Sequence, residues 1–283
     1  MPASAARLRR TLLGAGHRVA AVLVGLLFLL PLAWAVSTSL RATGTPLPRE
    51  MDWVPSPVAW ENYGAVFRIV DAPRFVLNSL LVAGAATPLT ILVASWAGFA
   101  IAQLPPVWRA RLVGLSVACL MVPLTAIWLP RFILFAEAGL VNRRLSLVVP
   151  ALMGTSPFYV LLFLWAFLRV PREVYDAARI DGAGPLRMWA GIGLPLAWPA
   201  AVAVGVLSFV HYWNSFVEPL LFIRTEERMT VSLGLRVLYQ LDRTGWPVVL
   251  AGAVLATAPV VVVFLLAQRA FLQDRRGRGV LAE

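Results

Sequence analysis

Residues 171–199 read PREVYDAARIDGAGPLRMWAGIGLPLAWP, a long polar interruption in the second half of an otherwise apolar chain. Its first part has the marks of a short helix. Pro171 suits a first helical position, where its missing N–H is not needed. Gly182 suits the position just past the end, where the backbone turns left-handed and a Cβ would clash. With successive residues turned by about 100°, Val174, Ala177 and Ala178 fall on one small apolar face. Arg172, Asp176 and Arg179 gather opposite, at spacings that allow weak ion pairs. Such a helix runs only about 16 Å, far short of a bilayer. A second short segment follows from Pro185 through Met188, Trp189 and Ile192. This is a polar element placed between apolar runs that are long enough to cross a membrane.

The composition points the same way. The chain has 283 residues, 60% of them hydrophobic, and a mean hydropathy of +0.78. Soluble domains are nearer 45–50% apolar. The net charge of +11 is spread among the apolar segments. No basic run is interleaved with aromatics, so nucleic acid is not an expected partner. All 25 basic residues are arginine, which excludes a standard P-loop, whose lysine contacts the phosphates, and a Schiff-base lysine. Cys119 is the single cysteine and can form no intrachain disulfide. His17 and His211 are far apart and lack carboxylates at ligand spacing, so neither a metal nor a cofactor is expected. Neither a G-x-S-x-G elbow nor an H-E-x-x-H pair occurs, and Asp181-Gly182 is a helix end rather than part of an EF-hand loop.

Six runs are long and apolar enough to span. The first is Val19–Val36; its flanking Arg9, Arg10 and Ala33-Trp34-Ala35 also mimic a cleavable signal peptide, against which it is read as span one. A proline-rich loop from Thr43 to Arg74 follows, holding Pro46, Pro48, Pro55 and Pro57, with an amphipathic piece from Trp60 to Phe67. Span two is Phe75–Ala102 and span three Leu112–Phe135, interrupted by Pro123 and Pro130. Span four is Ser146–Leu168, with Pro150, Gly154 and Pro157 early in it; these either open backbone groups onto a watery path or serve packing. Span five is Leu196–Ile223, and span six Pro247–Ala267. Arg131 lies near the end of span three and is expected to snorkel to the headgroups. His211, Asn214 and Glu218 are the candidate translocation-path residues of span five. A core histidine satisfied by a neighbouring helix is the competing, and favoured, reading of His211. With both termini inside, the inner segments hold 14 of the 25 arginines, which agrees modestly with the positive-inside rule.

At the polar interruption the chain resembles a known family. Asp176-Ala177-Ala178, then Asp181-Gly182-Ala183, then Ile192-Gly193-Leu194-Pro195 is similar to the EAA loop of bacterial ABC-importer permeases. The family's usual Glu is Asp176 here, which keeps the charge with a shorter reach. Two further stretches resemble the sugar-importer branch. One is Trp60-Glu61-Asn62-Tyr63 with Phe75 and Asn78-Ser79. The other is Trp213-Asn214-Ser215-Phe216-Val217-Glu218-Pro219-Leu220, close to W-N-x-F-x-x-P-L. Gln268-Arg269-Ala270-Phe271 resembles the family's exit from its last span, whereas Arg275-Arg276-Gly277-Arg278-Gly279 departs from its usual tail.

The resemblance implies an all-α, polytopic membrane protein with six spans and a cytoplasmic coupling helix. It implies a cytoplasmic N-terminus over 1–18, a permease domain over 19–271 containing a docking loop at 169–195, and a cytoplasmic tail over 272–283. Val174, Asp176, Ala177, Ala178, Asp181, Gly182, Ala183 and Pro195 are the implied ATPase-docking residues. The chain would be a non-catalytic subunit of the inner membrane, with ATP hydrolysed elsewhere. Its partners would be a second permease, two ATPase subunits and an extracytoplasmic solute-binding protein. The solute would be a sugar; another polar solute, such as phosphate or a polyamine, is the nearer alternative, and an ion-coupled secondary transporter the remoter one. The latter needs intramembrane acids and often repeated halves, and only Glu218 approaches that.

The six-span reading is checked by reporter fusions after Arg41, Arg109, Arg144, Asp181, Arg243 and the C-terminus. They should alternate out, in, out, in, out, in; a cytoplasmic signal from the Arg243 fusion would refute it.

Overall fold

The computed structural model describes residues 2–44, 53–241 and 245–278, with side chains over 16–44, 53–241 and 245–268. Pro46, Pro48, the Arg243 fusion point and the side chains of the Arg-rich tail lie outside the described residues. Every regular element among the described residues is helical. In lipid that is the expected outcome, because a helix satisfies its own backbone polar groups.

The chain divides into two compact units. The first comprises Met1–Val70 and Leu235–Leu255, and the second Asp71–Gly234 and Ala256–Glu283. The first unit contains α1 (Pro2–Ser39) and α2 (Glu61–Ile69). The apolar side chains of α1 from Val19 to Leu32 are exposed, which suits a lipid-facing helix. The Trp60-Glu61-Asn62-Tyr63 stretch closes this unit rather than marking a site. Asn62 is fully buried and donates to the carbonyls of Ser39 at 2.8 Å and Arg41 at 2.7 Å. Tyr63 shares a 2.8 Å hydrogen bond with Ser39.

The second unit is organised around α3 (Ala72–Gln103). It continues through α4 (Pro106–Met121), α5 (Leu124–Glu137), α6 (Leu145–Val148) and α7 (Pro157–Leu168). Next come the short α8 (Arg172–Ile180), α9 (Pro185–Met188) and α10 (Leu194–Leu196), then α11 (Trp198–Asn214) and α12 (Val217–Phe222). The division between the units runs through α13 (Val231–Leu241) and α14 (Trp246–Arg278). Helix α3 packs along both α7 and α11 around Phe99, Tyr159, Phe163, Phe167 and Trp189.

Four helical stretches are long and apolar enough to cross a membrane: Gly16–Ser39, Ala72–Gln103, Leu145–Leu168 and Trp246–Gln268. Two expected spans are broken instead. Pro106–Met121 meets Leu124–Glu137 at 90°, where Pro123 removes a backbone donor, so Leu112–Phe135 is not one straight helix. The fifth span, expected as continuous over Leu196–Ile223, stops at Asn214 and resumes at Val217; Pro185–Leu196 meets Trp198–Asn214 at 81°. If each bent pair is one crossing, the count is six.

Early in the fourth span the backbone is irregular and held by internal bonds. A 3₁₀ turn over Val149–Met153 ends with Gly154 and Thr155 both left-handed, at φ 69° and 62°. Thr155 is β-branched, so this conformation is strained. Its neighbours hold it in place: its N–H donates to Pro150 at 3.0 Å, and its hydroxyl lies 2.5 Å from that of Thr90 and 2.7 Å from that of Tyr212. The irregular turn is thus a packing device joining α3, α7 and α11.

The contact between α3 and α7 depends on Gly98. A Cβ there would stand 2.8 Å from Phe163 Cβ and 2.9 Å from both Leu164 N and Val160 O. Small residues let helices approach this closely in lipid, where dispersion rather than a hydrophobic force holds them. Gly98→Ala is therefore expected to cost about 1–3 kcal/mol by overpacking. Gly114→Ala, with open space around its Cβ, should be neutral or slightly stabilising. Thermal unfolding of the two variants in detergent distinguishes them.

Candidate functional site

The polar interruption folds as its sequence suggests, with two differences. Helix α8 runs over nine residues, and Pro171 caps it at ψ 139° rather than entering it. Its C-terminus is a Schellman motif. The N–H of Gly182 donates to Arg179 O at 3.0 Å, that of Ala183 donates to Ala178 O at 2.9 Å, and Gly182 has φ +76°. Glu173 in the first turn and Arg179 in the last both complement the helix dipole. Arg179 pairs with Asp176 at 2.5 Å, the ion pair anticipated from the spacing, and also donates to Gln103 Oε1 at 2.6 Å. That second bond ties the helix to the C-terminal end of α3.

The second difference concerns the apolar face. Val174, Ala177 and Ala178 do not share one exposed face. Ala178 is 7% exposed and turns inward with Tyr175, which is 4% exposed. The Tyr175 ring lies edge-on to Phe99, centroids 5.7 Å apart, and Phe99 meets Phe167 at 5.5 Å. Burial pushes the Tyr175 phenol above its ordinary pKa, so it remains neutral throughout the physiological range, and its hydroxyl has no hydrogen-bond partner. The physical reason is volume: a large aromatic at the inner face carries more burial than three small side chains.

What α8 presents outward is Glu173, Ala177, Ile180 and Asp181, with Val174 at the flank. Ile180 is 87% exposed. Sequence reasoning missed both Ile180 and Tyr175; the i, i+3 spacing of Ala177 and Ile180 was the available signal for the first. Ala183 is half-buried against the core, and Pro195 is exposed on α10. A groove of about 430 Å³ runs beneath α8, lined by Gln103, Pro105, Arg172, Tyr175, Asp176 and Arg179.

The candidate path residues lie on a different surface. His211 and Asn214 are exposed on α11, and Leu207, one turn earlier on the same side, is 44% exposed. His211 is therefore not a core histidine; its ring only meets the edge of Tyr212 at 5.3 Å. Tyr212 and Trp213 face inward, and Trp213 Nε1 donates to Ala256 O at 3.0 Å. Glu218 is half-buried and bonded to Arg131 at 2.5 Å, so Arg131 does not snorkel away from the protein. The Asn78-Ser79 pair also proves structural. Asn78 donates to the carbonyls of Glu227 at 2.9 Å and Met229 at 2.8 Å, while Ser79 accepts from Val231 N at 2.9 Å. Among the described residues no group of His, Cys, Asp and Glu is placed to hold a metal.

Comparison with known proteins places this geometry. The profile of the binding-protein-dependent transport system inner membrane component family matches residues 74–277. The chain belongs to that family. It is a membrane-spanning, non-catalytic permease subunit of an ATP-driven importer. It is 29% identical to the lactose transport system permease protein LacG of Rhizobium radiobacter, over 90% of this chain and 92% of that one. It is 32% identical to the arabinooligosaccharides transport system permease protein AraQ of Halalkalibacterium halodurans, over 72% of each chain. Its fold is similar to that of a chain in the crystal structure of a bacterial ABC transporter that imports the acidic polysaccharide alginate. The TM-score there is 0.72 at 20% identity, covering 90% of this chain and 96% of that chain. A second structure of an alginate transporter, bound to a periplasmic protein carrying an alginate pentasaccharide, matches with a TM-score of 0.64 at 15% identity, over 88% of this chain and 91% of that one. Permeases of this family work with a solute-binding protein.

The inward turn of Ala178 has a measurable consequence. Ala178→Leu is expected to lower the stability of the permease itself by about 1–3 kcal/mol. Ala177→Leu, at an exposed position, should leave it within about 0.5 kcal/mol. Thermal unfolding of each purified variant, measured without partner subunits, checks this.

Proposed function

We propose that this chain is one of two permease subunits of a carbohydrate importer and that α8 docks into a separate ATPase subunit. Two such ATPases would sit below the permease pair, and an extracytoplasmic solute-binding protein would deliver the sugar. The chain crosses the inner membrane six times, each bent pair counting as one crossing, with both termini cytoplasmic. The docking surface is the outward side of α8 with its turn: Val174, Asp176, Ala177, Asp181 and Gly182, joined by Ile180. Ala178, Ala183 and Pro195 support it from behind and beside. His211, Asn214 and Glu218 line the path for the sugar, and the named sugar permeases among the relatives support that cargo.

The observation that carries the docking reading is Ile180. It stands 87% exposed at the end of a rigidly terminated helix whose outward side is otherwise charged apart from Ala177 and the flanking Val174. An exposed large side chain on so short and so well-anchored an element suits a cleft on a partner. ATP-driven closure of the ATPases would draw such helices together and switch the cavity between its two openings. Arg179–Gln103 and Tyr175–Phe99 would carry that motion into α3.

Gly182→Val is the test. No atom lies within 4 Å of a Cβ at Gly182, so nothing clashes. Only the positive φ is strained, by about 1–3 kcal/mol for a β-branched residue. Relief of that strain redirects the helix end and moves Ile180. The variant should insert at normal abundance, lose co-purifying ATPase and lose uptake. Normal ATPase retention with normal uptake would make the loop a mere connector.

A further inference from the structure

Two formally charged side chains of the second unit, Arg131 on α5 and Glu218 on α12, neutralise each other. Arg131 Nη2 donates to Glu218 Oε1 at 2.5 Å, and Ser215 Oγ donates to Glu218 Oε2 at 3.2 Å. The guanidinium also lies over the Phe222 ring, 5.3 Å from its centroid. Both side chains remain about one-fifth exposed, at 20% and 18%. Ser215, which bonds Glu218, directly follows the exposed Asn214, and the exposed His211 lies one turn earlier on α11. The pair is thus a polar position, with no net charge, at one end of an exposed polar stripe.

We propose that the Arg131–Glu218 pair sets the charge class of the transported sugar, admitting neutral oligosaccharides and rejecting those that carry carboxylates. This rests on the reading that Asn214 and His211 face the path. A neutral sugar offers hydroxyls that both donate and accept, so it can bond to the free lone pairs of Glu218 and the remaining N–H groups of Arg131 without separating them. A uronate meets the opposite situation. Its carboxylate must compete with Glu218 for the same guanidinium fork and approaches a like charge. The discrimination comes from the repulsive element, as specificity often does. Removing the charge of Glu218 leaves an unmatched arginine, a side chain whose planar fork suits a carboxylate.

The test uses the importer complex purified through this chain, without the solute-binding protein, so that the latter's selectivity does not enter. A mixed pool of neutral di- to pentasaccharides and a size-matched pool of uronate oligosaccharides are equilibrated with it, and bound sugars are read by mass spectrometry. Wild type should retain neutral sugars over uronates. Glu218→Gln should shift that ratio toward uronates by about tenfold or more, and a tenfold rise in salt should reverse the shift, because an exposed charge contact is screened. Arg131→Gln should keep the neutral preference. Exchanging the two residues, Arg131→Glu with Glu218→Arg, keeps a neutral pair and should keep that preference, which controls for folding. If neutral sugars bind but Glu218→Gln leaves the ratio unchanged, the pair is a staple between α5 and α12 and the proposal is overturned. If Asn214→Ala and His211→Ala leave sugar binding untouched, the path lies elsewhere and the underlying reading fails with it. If wild type retains neither pool, the proposal is overturned as well, while the docking role of α8 is unaffected.

Discussion

The ring of Tyr175 meets the edge of Phe99, and a nine-residue helix is held against the membrane core through that contact. An isolated helix of this length is not stable in water. Its outward side contributes little, being charged apart from Ala177, Ile180 and the flanking Val174. Order therefore comes from the inward side, where Tyr175 and Ala178 are buried, and from the Schellman turn that fixes the far end. The bond from Arg179 to Gln103 adds a polar tie in the same direction. Remove the aromatic contact and the outward residues lose their fixed position.

Much of the architecture is legible in the sequence because lipid imposes a simple rule. Long apolar runs become helices, and α1, α3 and α14 cover the runs that hydropathy marks, while the run Ser146–Leu168 is divided between α6, a 3₁₀ turn and α7. The turn at Gly182 is legible for an equally simple reason, since only glycine takes φ +76° without strain. The bends are less so. Hydropathy averages over Pro123 and over Ser215, and a window that sees only apolar residues cannot tell a straight span from two helices at 90°. Side-chain direction on α8 was misjudged because three small residues form a face by periodicity, while burial follows volume and favours Tyr175.

Pairings between distant segments are the least legible part. Nothing local to Arg131 points to Glu218, 87 residues away. Taken alone, each residue suggests a different fate: one snorkels, the other faces the path. Taken together, they neutralise each other. The same holds for Asn78, whose amide finds its carbonyls roughly 150 residues further on. Motif residues that suggest function by resemblance, Asn62, Asn78 and Trp213 among them, prove to be bonding groups that fix loops and helices. The polar stripe of His211 and Asn214 stays free of that duty, and exposure alone marks it out.

Helix α3 has 32 residues, about 48 Å at the usual rise, against a hydrocarbon layer of about 30 Å. It must tilt or project beyond both boundaries. Asn78 near one end grips the segment before α13, and Gln103 at the other end grips α8; along the axis they are about 37 Å apart. One rod is therefore fastened near both of its ends. Tipping it at the α8 end swings the far attachment the opposite way, as a seesaw does, and no relay of intermediate contacts is required. The stiffness of α3 between those two fastenings, interrupted only by Pro88, then sets how much of the movement arrives.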